Sequence, residues 1–182
     1  MAKKGKSMKI KAKTIVILII VFITMLLIFS VGRGLFAQAK TYKVDLDKDG
    51  KPEIITSQDM YSAEEQGKVV IEDANNNIVG SFYVLDRLTR LEFVDLNKDG
   101  NKEIVAWSSR GALYNRVAIY RYKDGKLYKI FEEGSTVGIE ADFDTKPPVI
   151  RIGRIRLDKE GRSYKRTPDW EIWVWDGKDF YK

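Results

Sequence analysis

The 182-residue sequence predicts an all-β fold, three four-stranded antiparallel meanders, behind one N-terminal transmembrane helix. Three observations predict it. The segment Val44 to Thr56, VDLDKDGKPEIIT, recurs fifty residues later at Val94 to Ala106, VDLNKDGNKEIVA, and self-similarity at a fixed period marks a repeat architecture. Asp124-Gly125 and Asp176-Gly177 each join short runs of alternating apolar residues, a strong hairpin signal. Thr14 to Gly32 carries no charge for 19 residues.

Residues 1–13 form a basic head holding Lys3, Lys4, Lys6, Lys9, Lys11 and Lys13. The uncharged run that follows spans about 28 Å as a helix, close to the hydrocarbon thickness of a bilayer. Six lysines before it and only Arg33 soon after place the head in the cytoplasm and the bulk of the chain outside. Residues 14–36 therefore read as a single-pass signal anchor in the cell membrane. Ala37-Gln38-Ala39 has the small-x-small form of a signal-peptidase site, and cleavage after Ala39 would make the protein secreted. The length of the apolar run and the intervening Arg33 favour the uncleaved anchor.

The outer domain is assigned to residues 40–182, with units 41–85, 90–131 and 137–182. In the first unit, Tyr42 to Val44 and Glu53 to Ser57 flank an acidic loop. A polar connector follows, with Ser62 and Glu65 spaced as a capping box. Lys68 to Ile71 and Ile78 to Leu85 pair through an Asn75-Asn76-Asn77 turn. The second unit repeats the order: Arg90 to Val94, a second acidic loop, Glu103 to Trp107, a polar connector Ser109 to Asn115, then Arg116 to Tyr122 and Lys126 to Phe131. The third is degenerate. Ile139 to Asp144 begins like the earlier loops, but Thr145-Lys146-Pro147-Pro148 replaces the ligand and glycine positions, so no metal is assigned there. Val149 to Leu157, Glu171 to Trp175 and Phe180-Tyr181 complete it. Apolar residues on both faces of these strands are expected when each sheet packs between neighbours. A last sheet without a cap implies an exposed face, or cover by another subunit or the membrane. A two-sheet sandwich is the alternative fold.

The acidic loops carry the chemistry. Asp45, Asp47 and Asp49 hold alternate positions, then Gly50 and Glu53; Asp95, Asn97 and Asp99 repeat them, then Gly100 and Glu103. Calcium takes six to eight oxygens, and alternate side chains of a tight loop can converge on one centre while the glycine permits the turn. The backbone carbonyls of Lys51 and Asn101 are natural further ligands. An EF-hand is excluded, since Thr56 and Ala106 stand where a bidentate Glu is required. With no Cys and no His, zinc and softer metals are poor candidates. Four carboxylates in the first loop against three in the second make the first the stronger site. Lys48, Lys51, Lys98 and Lys102 weaken both, and an affinity of about 10⁻⁴–10⁻³ M is expected.

DLDKDGKPEI and DLNKDGNKEI resemble the calcium loop of FG-GAP/VCBS-type repeats, the blades of integrin-alpha-like β-propellers. The resemblance implies ligands Asp45, Asp47, Asp49 and Glu53 in one loop and Asp95, Asn97, Asp99 and Glu103 in the other. It also implies four-stranded blades with the metal at the blade edge. Proteins of that family that close a ring usually have about seven blades; this chain has room for three, so a propeller-like but incomplete arrangement is expected.

The formal charge of +6 does not indicate nucleic acid. Seven of the 32 basic residues lie in residues 1–39, where there is no acidic residue, leaving 25 against 26 in the outer domain. Without His or Cys there is no imidazole base and no thiol nucleophile, so catalysis is not expected beyond a carboxylate-based hydrolase. Asp73, Asp86 and Glu92 read as turns and solvated edges. Arg154 and Arg156 share a strand face that could meet an anionic surface, or simply protect an edge. The sequence thus reads as a membrane-anchored extracellular calcium-binding module that meets a protein or glycan. The alternative is a structural or assembly subunit of the cell envelope, with homo-oligomers possible.

Overall fold

A computed structural model describes residues 39–58, 66–155 and 169–182. The basic head, the membrane segment 14–36, the Ser62–Glu65 capping box, Arg156 and Leu157 lie outside the described residues. All described residues belong to one compact unit, Ala37–Lys182. Among them, no helix is long and apolar enough to cross a membrane.

Among the described residues, twelve strands form three four-stranded antiparallel sheets. The first is β1 (Ala39–Val44), β2 (Glu53–Gln58), β3 (Gly67–Glu72) and β4 (Ile78–Val84). The second is β5 (Arg87–Val94), β6 (Glu103–Arg110), β7 (Tyr114–Lys123) and β8 (Lys126–Ser135). The third is β9 (Ile139–Asp142), β10 (Val149–Arg154), β11 (Asp169–Trp175) and β12 (Phe180–Tyr181). In each, neighbours in space are neighbours in sequence. These are blades of the propeller kind, three in number and unclosed, and not the two sheets of a sandwich.

The turns follow from residues that tolerate left-handed backbone. Asp124 and Gly125 have φ of 52° and 72°, so β7 and β8 close through a two-residue turn that matches strand twist. Asn76, with φ of 63°, supplies the left-handed residue of the longer turn between β3 and β4.

The middle sheet is apolar on both faces because both are covered. One face presents Ile104, Ala106, Ala118, Tyr120 and Tyr122 to a core shared with Ile55, Val69, Ile71 and Phe82 of the first sheet. Phe82 stacks on Tyr120 at 3.9 Å between ring centroids. The opposite face presents Val105, Val117 and Ile119 to Ile150, Ile152 and Trp175 of the third sheet. Burying each such aliphatic side chain contributes roughly 1.5–3 kcal/mol. Leu46 and Leu96, the one apolar residue of each acidic loop, are fully buried in these two cores. They anchor the loops to the blade edges.

Two expectations are corrected. The polar connector Ser109–Asn115 is mostly strand; only residues 111–113 turn. Its arginines are neutralised in place by Asp86, whose carboxylate is 1% exposed and pairs with Arg110 at 2.6 Å and Arg116 at 3.6 Å. Asp86 is therefore an internal brace, not a solvated edge. Likewise, Glu92 accepts the Trp107 indole N–H at 2.9 Å. The second correction concerns Arg154. It does not form a free basic face but turns inward, binding Glu133 of the second sheet at 2.7 Å and Glu171 of the third at 3.0 Å.

These pairs set an acid limit on stability. The Lys182 ammonium, and then Arg154 against an opposing cost of burial, hold Glu171 below its ordinary value of 4.5. Burial raises Glu132, but Lys129 and Arg116 outweigh it and hold it low as well. A carboxyl lowered by folding stabilises the native state above its unfolded value, and that contribution is lost as pH falls through the folded one. The melting temperature should fall as pH drops from about 5 to 3. Glu171→Gln should flatten that decline in thermal melts; an unchanged profile would exclude the Glu171 pairs as its source.

Candidate metal centre

The first acidic loop is folded by its own short carboxylates. Gly50 N–H donates to Asp45 Oδ2 at 3.1 Å, Asp49 N–H to Asp47 Oδ1 at 3.3 Å, and Lys51 N–H to Asp49 Oδ1 at 2.7 Å. Lys48 and Gly50 take left-handed φ of 62° and 82°. With Leu46 pinned below, alternate residues turn to one side. One oxygen from each of Asp45, Asp47 and Asp49 lies within 4.8 Å of the others. Like charges at such spacing repel by about 1 kcal/mol per pair in water, and by more where solvent is partly excluded. Asp45 Oδ1 is buried and has no hydrogen-bond partner.

Glu53 is placed differently from those three. It is 4% exposed and lies beneath the loop, its Oε2 accepting Leu46 N–H at 2.8 Å. Burial raises its carboxyl, and the Asp47 and Asp49 charges add to the rise. Among the described residues no cation pairs with it. Tyr122 feels the same field: burial first, then the charges of Glu53, Asp47, Asp73 and Asp49, push its phenol up. Lys48 does not relieve the field, since its ammonium donates to the Asp99 carbonyl of the second loop at 3.2 Å.

The second loop has the same backbone and a different charge balance. Both oxygens of Asp95 are engaged, by Asp99 N–H at 3.1 Å and Gly100 N–H at 2.9 Å. Asn97 replaces the middle carboxylate, and its amide donates to Asp99 Oδ2 at 2.8 Å. Asn101 N–H donates to Asp99 Oδ1 at 2.7 Å. Burial pulls Asp99 upward, yet these donors and the Arg121 charge hold it below its usual value. Glu103 is 1% exposed; its Oε2 accepts Leu96 N–H at 3.1 Å and its Oε1 accepts Arg121 Nε at 2.9 Å. The two loops touch through Lys102 N–H and Leu46 O at 2.9 Å.

The structure thus brings Asp45, Asp47 and Asp49 together. It places the backbone N–H groups of Lys51 and Asn101 on Asp49 and Asp99, and sets Glu53 and Glu103 as braces under their loops. The Asn97 difference is legible in the sequence. Arg121 is not: it lies on β7 and meets Glu103 because those two residues are register partners. Sequence carries no signal for that pairing beyond an arginine in a strand. In the first sheet the register ends one step short, at Ile54 and Glu72, and the next residue is Asp73. An acid thus follows in the first blade where the second has a base. The third loop is closed on itself, with Asp142 Oδ1 accepting the N–H groups of Asp144 and Thr145 at 3.2 Å each.

An open cleft of about 670 Å³ is lined by residues that include Arg90, Glu92, Trp107, Asp142 and Asp144. The Arg90 guanidinium covers the Trp107 ring at 4.9 Å, and Glu92 is bound by the indole N–H and by Arg90. Trp107 and Glu92 are thus already engaged within the sheet.

No family model matches the chain, and neither a curated protein nor a solved structure matches it. The arrangement is a repeated β-sheet module with a surface acidic cluster on its first blade.

Proposed function

We propose that this protein is a membrane-anchored extracellular β-repeat module of the FG-GAP/VCBS type that binds calcium, principally at the first acidic loop, and presents its blades to a protein or glycan without catalysing a reaction. The observation that carries the metal reading is Asp45 Oδ1, buried and unpartnered inside a group of three converging carboxylates. A buried oxygen of this kind costs roughly 1–3 kcal/mol, more when charged, unless something binds it. A hard divalent cation meets that need and cancels the mutual repulsion, and an all-oxygen donor set suits calcium. Asp45, Asp47 and Asp49 would hold it, with the Lys51 carbonyl; Glu53 supports the loop from below. Asp95, Asn97, Asp99 and the Asn101 carbonyl would form the weaker site, braced by Glu103, because Arg121 and the Asn97 amide already supply what an ion would. The membrane tether rests on the uncharged run 14–32 behind six lysines.

Thermal unfolding of the full chain in mild detergent, with about 10 mM calcium and again with chelator, tests this. At an affinity of about 10⁻⁴–10⁻³ M, linkage gives roughly 1.4–2.7 kcal/mol. That corresponds to a rise of about 4–10 °C for a domain of this size. No rise would reduce the first loop to an Asp-Gly turn; an equal rise with magnesium would make it a divalent-cation site without preference for calcium.

A further inference from the structure

The two acidic loops share a backbone and differ in their surroundings, so each is a control for the other. In both, a left-handed lysine and a left-handed glycine turn the chain, and a buried glutamate accepts the N–H of the leucine beneath. Two differences separate them. Asn97 stands where the first loop has Asp47. Arg121 reaches Glu103, whereas among the described residues no base pairs with Glu53. The first difference does not close a calcium loop. An asparagine offers an amide oxygen, and calcium loops take either Asp or Asn at the third position. The Asn97 amide, now donating to Asp99 Oδ2, is exposed and free to give up that bond and turn its oxygen inward.

The second difference is fixed by the fold. Arg121 is the register partner of Glu103 across β6 and β7, and its Nε donates to Glu103 Oε1 at 2.9 Å. Its guanidinium carbon also lies 5.3 Å from the centre of the buried Trp175 ring. A carboxylate of the second sheet and an indole of the third thus hold the group between them. Its Nη2 is buried without an acceptor, so charge and stacking, not a full set of hydrogen bonds, keep it there. With Asn97, Asp99, Asn101 and Glu103 it lines one cavity of about 180 Å³.

A permanent positive charge therefore stands at the second loop, since a guanidinium is not deprotonated in a protein. Its side chain is 22% exposed, so salt and water screen it less than a surface ammonium. Lys48 is the surface case: its ammonium meets the Asp99 carbonyl at 3.2 Å in full view of solvent. The first loop gathers Asp45, Asp47, Asp49 and Glu53 around no base. The second gathers Asp95, Asp99 and Glu103 around Arg121. A divalent cation entering the second loop would meet a like charge already in place.

We propose that Arg121 is the resident counter-ion of the second loop, and that it, rather than Asn97, keeps calcium out, so that millimolar calcium fills the first loop alone. This rests on the calcium reading of the loops and adds the residue that decides between them. The test isolates the second loop. With the first loop weakened by Asp47→Asn, the full chain in mild detergent should show little rise in melting temperature between chelator and about 10 mM calcium. Adding Arg121→Gln should restore roughly half or more of the wild-type rise, through a gain of about tenfold or more in the second loop's affinity. Adding Arg121→Lys, which keeps the charge, should restore none. Adding Asn97→Asp gives the second loop the three carboxylates of the first and, with Arg121 in place, should restore little. An arginine that only braces Glu103 would lower the melting temperature on removal without creating a calcium response. A rise restored by Asn97→Asp, or none with Arg121→Gln, would overturn the proposal. The Asn97→Asp arm keeps the Arg121–Glu103 pair, so it decides the matter even where Arg121→Gln does not fold. If the wild type shows no rise and Arg121→Gln alone does, the first-loop reading fails and this one stands. If the wild-type rise is lost in Asp47→Asn and Arg121→Gln adds nothing, the first-loop reading stands and this one fails.

Discussion

Glu103→Ala is expected to destabilise the outer domain by about 3 kcal/mol, with a fall in melting temperature of roughly 10 °C. The side chain is almost wholly buried and serves two donors, the Leu96 N–H and the Arg121 guanidinium. Truncation strands both. Arg121 keeps 22% of its side chain exposed, which softens the loss of its partner and sets the value at the lower end for a broken buried pair. The damage is not local, because Arg121 also lies over the Trp175 ring of the third sheet at 5.3 Å. Glu103→Gln keeps an acceptor for Leu96 N–H while losing the charge, and should cost about half as much. Glu53→Ala loses only the Leu46 acceptor and relieves repulsion from Asp47 and Asp49, so about 1 kcal/mol is expected. Urea unfolding of the three variants in chelator measures all of this. Equal costs at Glu53 and Glu103 would show that Arg121 adds nothing.

Asp47→Asn is expected to change sign with calcium. It gives the first loop the residue that the second loop has at Asn97. In chelator the change removes one of three converging charges, and the variant should be as stable as the wild type or more so, by up to about 1 kcal/mol. In millimolar calcium it should lose most of the ion-induced rise in melting temperature, through at least a tenfold loss of affinity. Asp99→Asn, in the loop already neutralised by Arg121, should leave most of that rise in place. Paired melts with calcium and chelator decide the matter. If Asp99→Asn abolishes the rise and Asp47→Asn does not, the second loop is the principal site and the neutralisation argument fails.

The local signals in this chain are strong because they come from short-range chemistry. An aspartate reaches its own backbone two to five residues on, and Gly50 or Gly125 takes a left-handed φ whatever the rest of the chain does. Alternation with period two assigns faces before any partner is known. Hence the hairpins, the repeat and the three carboxylates of the first loop were legible from residues alone. The mistaken connector at Ser109–Asn115 and the misread Arg154 share one cause. A charged residue reads as solvent-facing until its partner is located, and the partners here are 16 to 30 residues away in sequence.

By itself, the sequence determined the all-β repeat, the position of the acidic loops and the greater acidity of the first. Tertiary structure alone decided which loop is already neutralised, because strand register, not spacing, sets Arg121 beside Glu103. It alone decided that Asp86 is an internal brace. It also decided which apolar faces are satisfied: Ile119 and Ile172 are the same residue at equivalent points of the repeat, and only the stacking of whole sheets buries one and exposes the other.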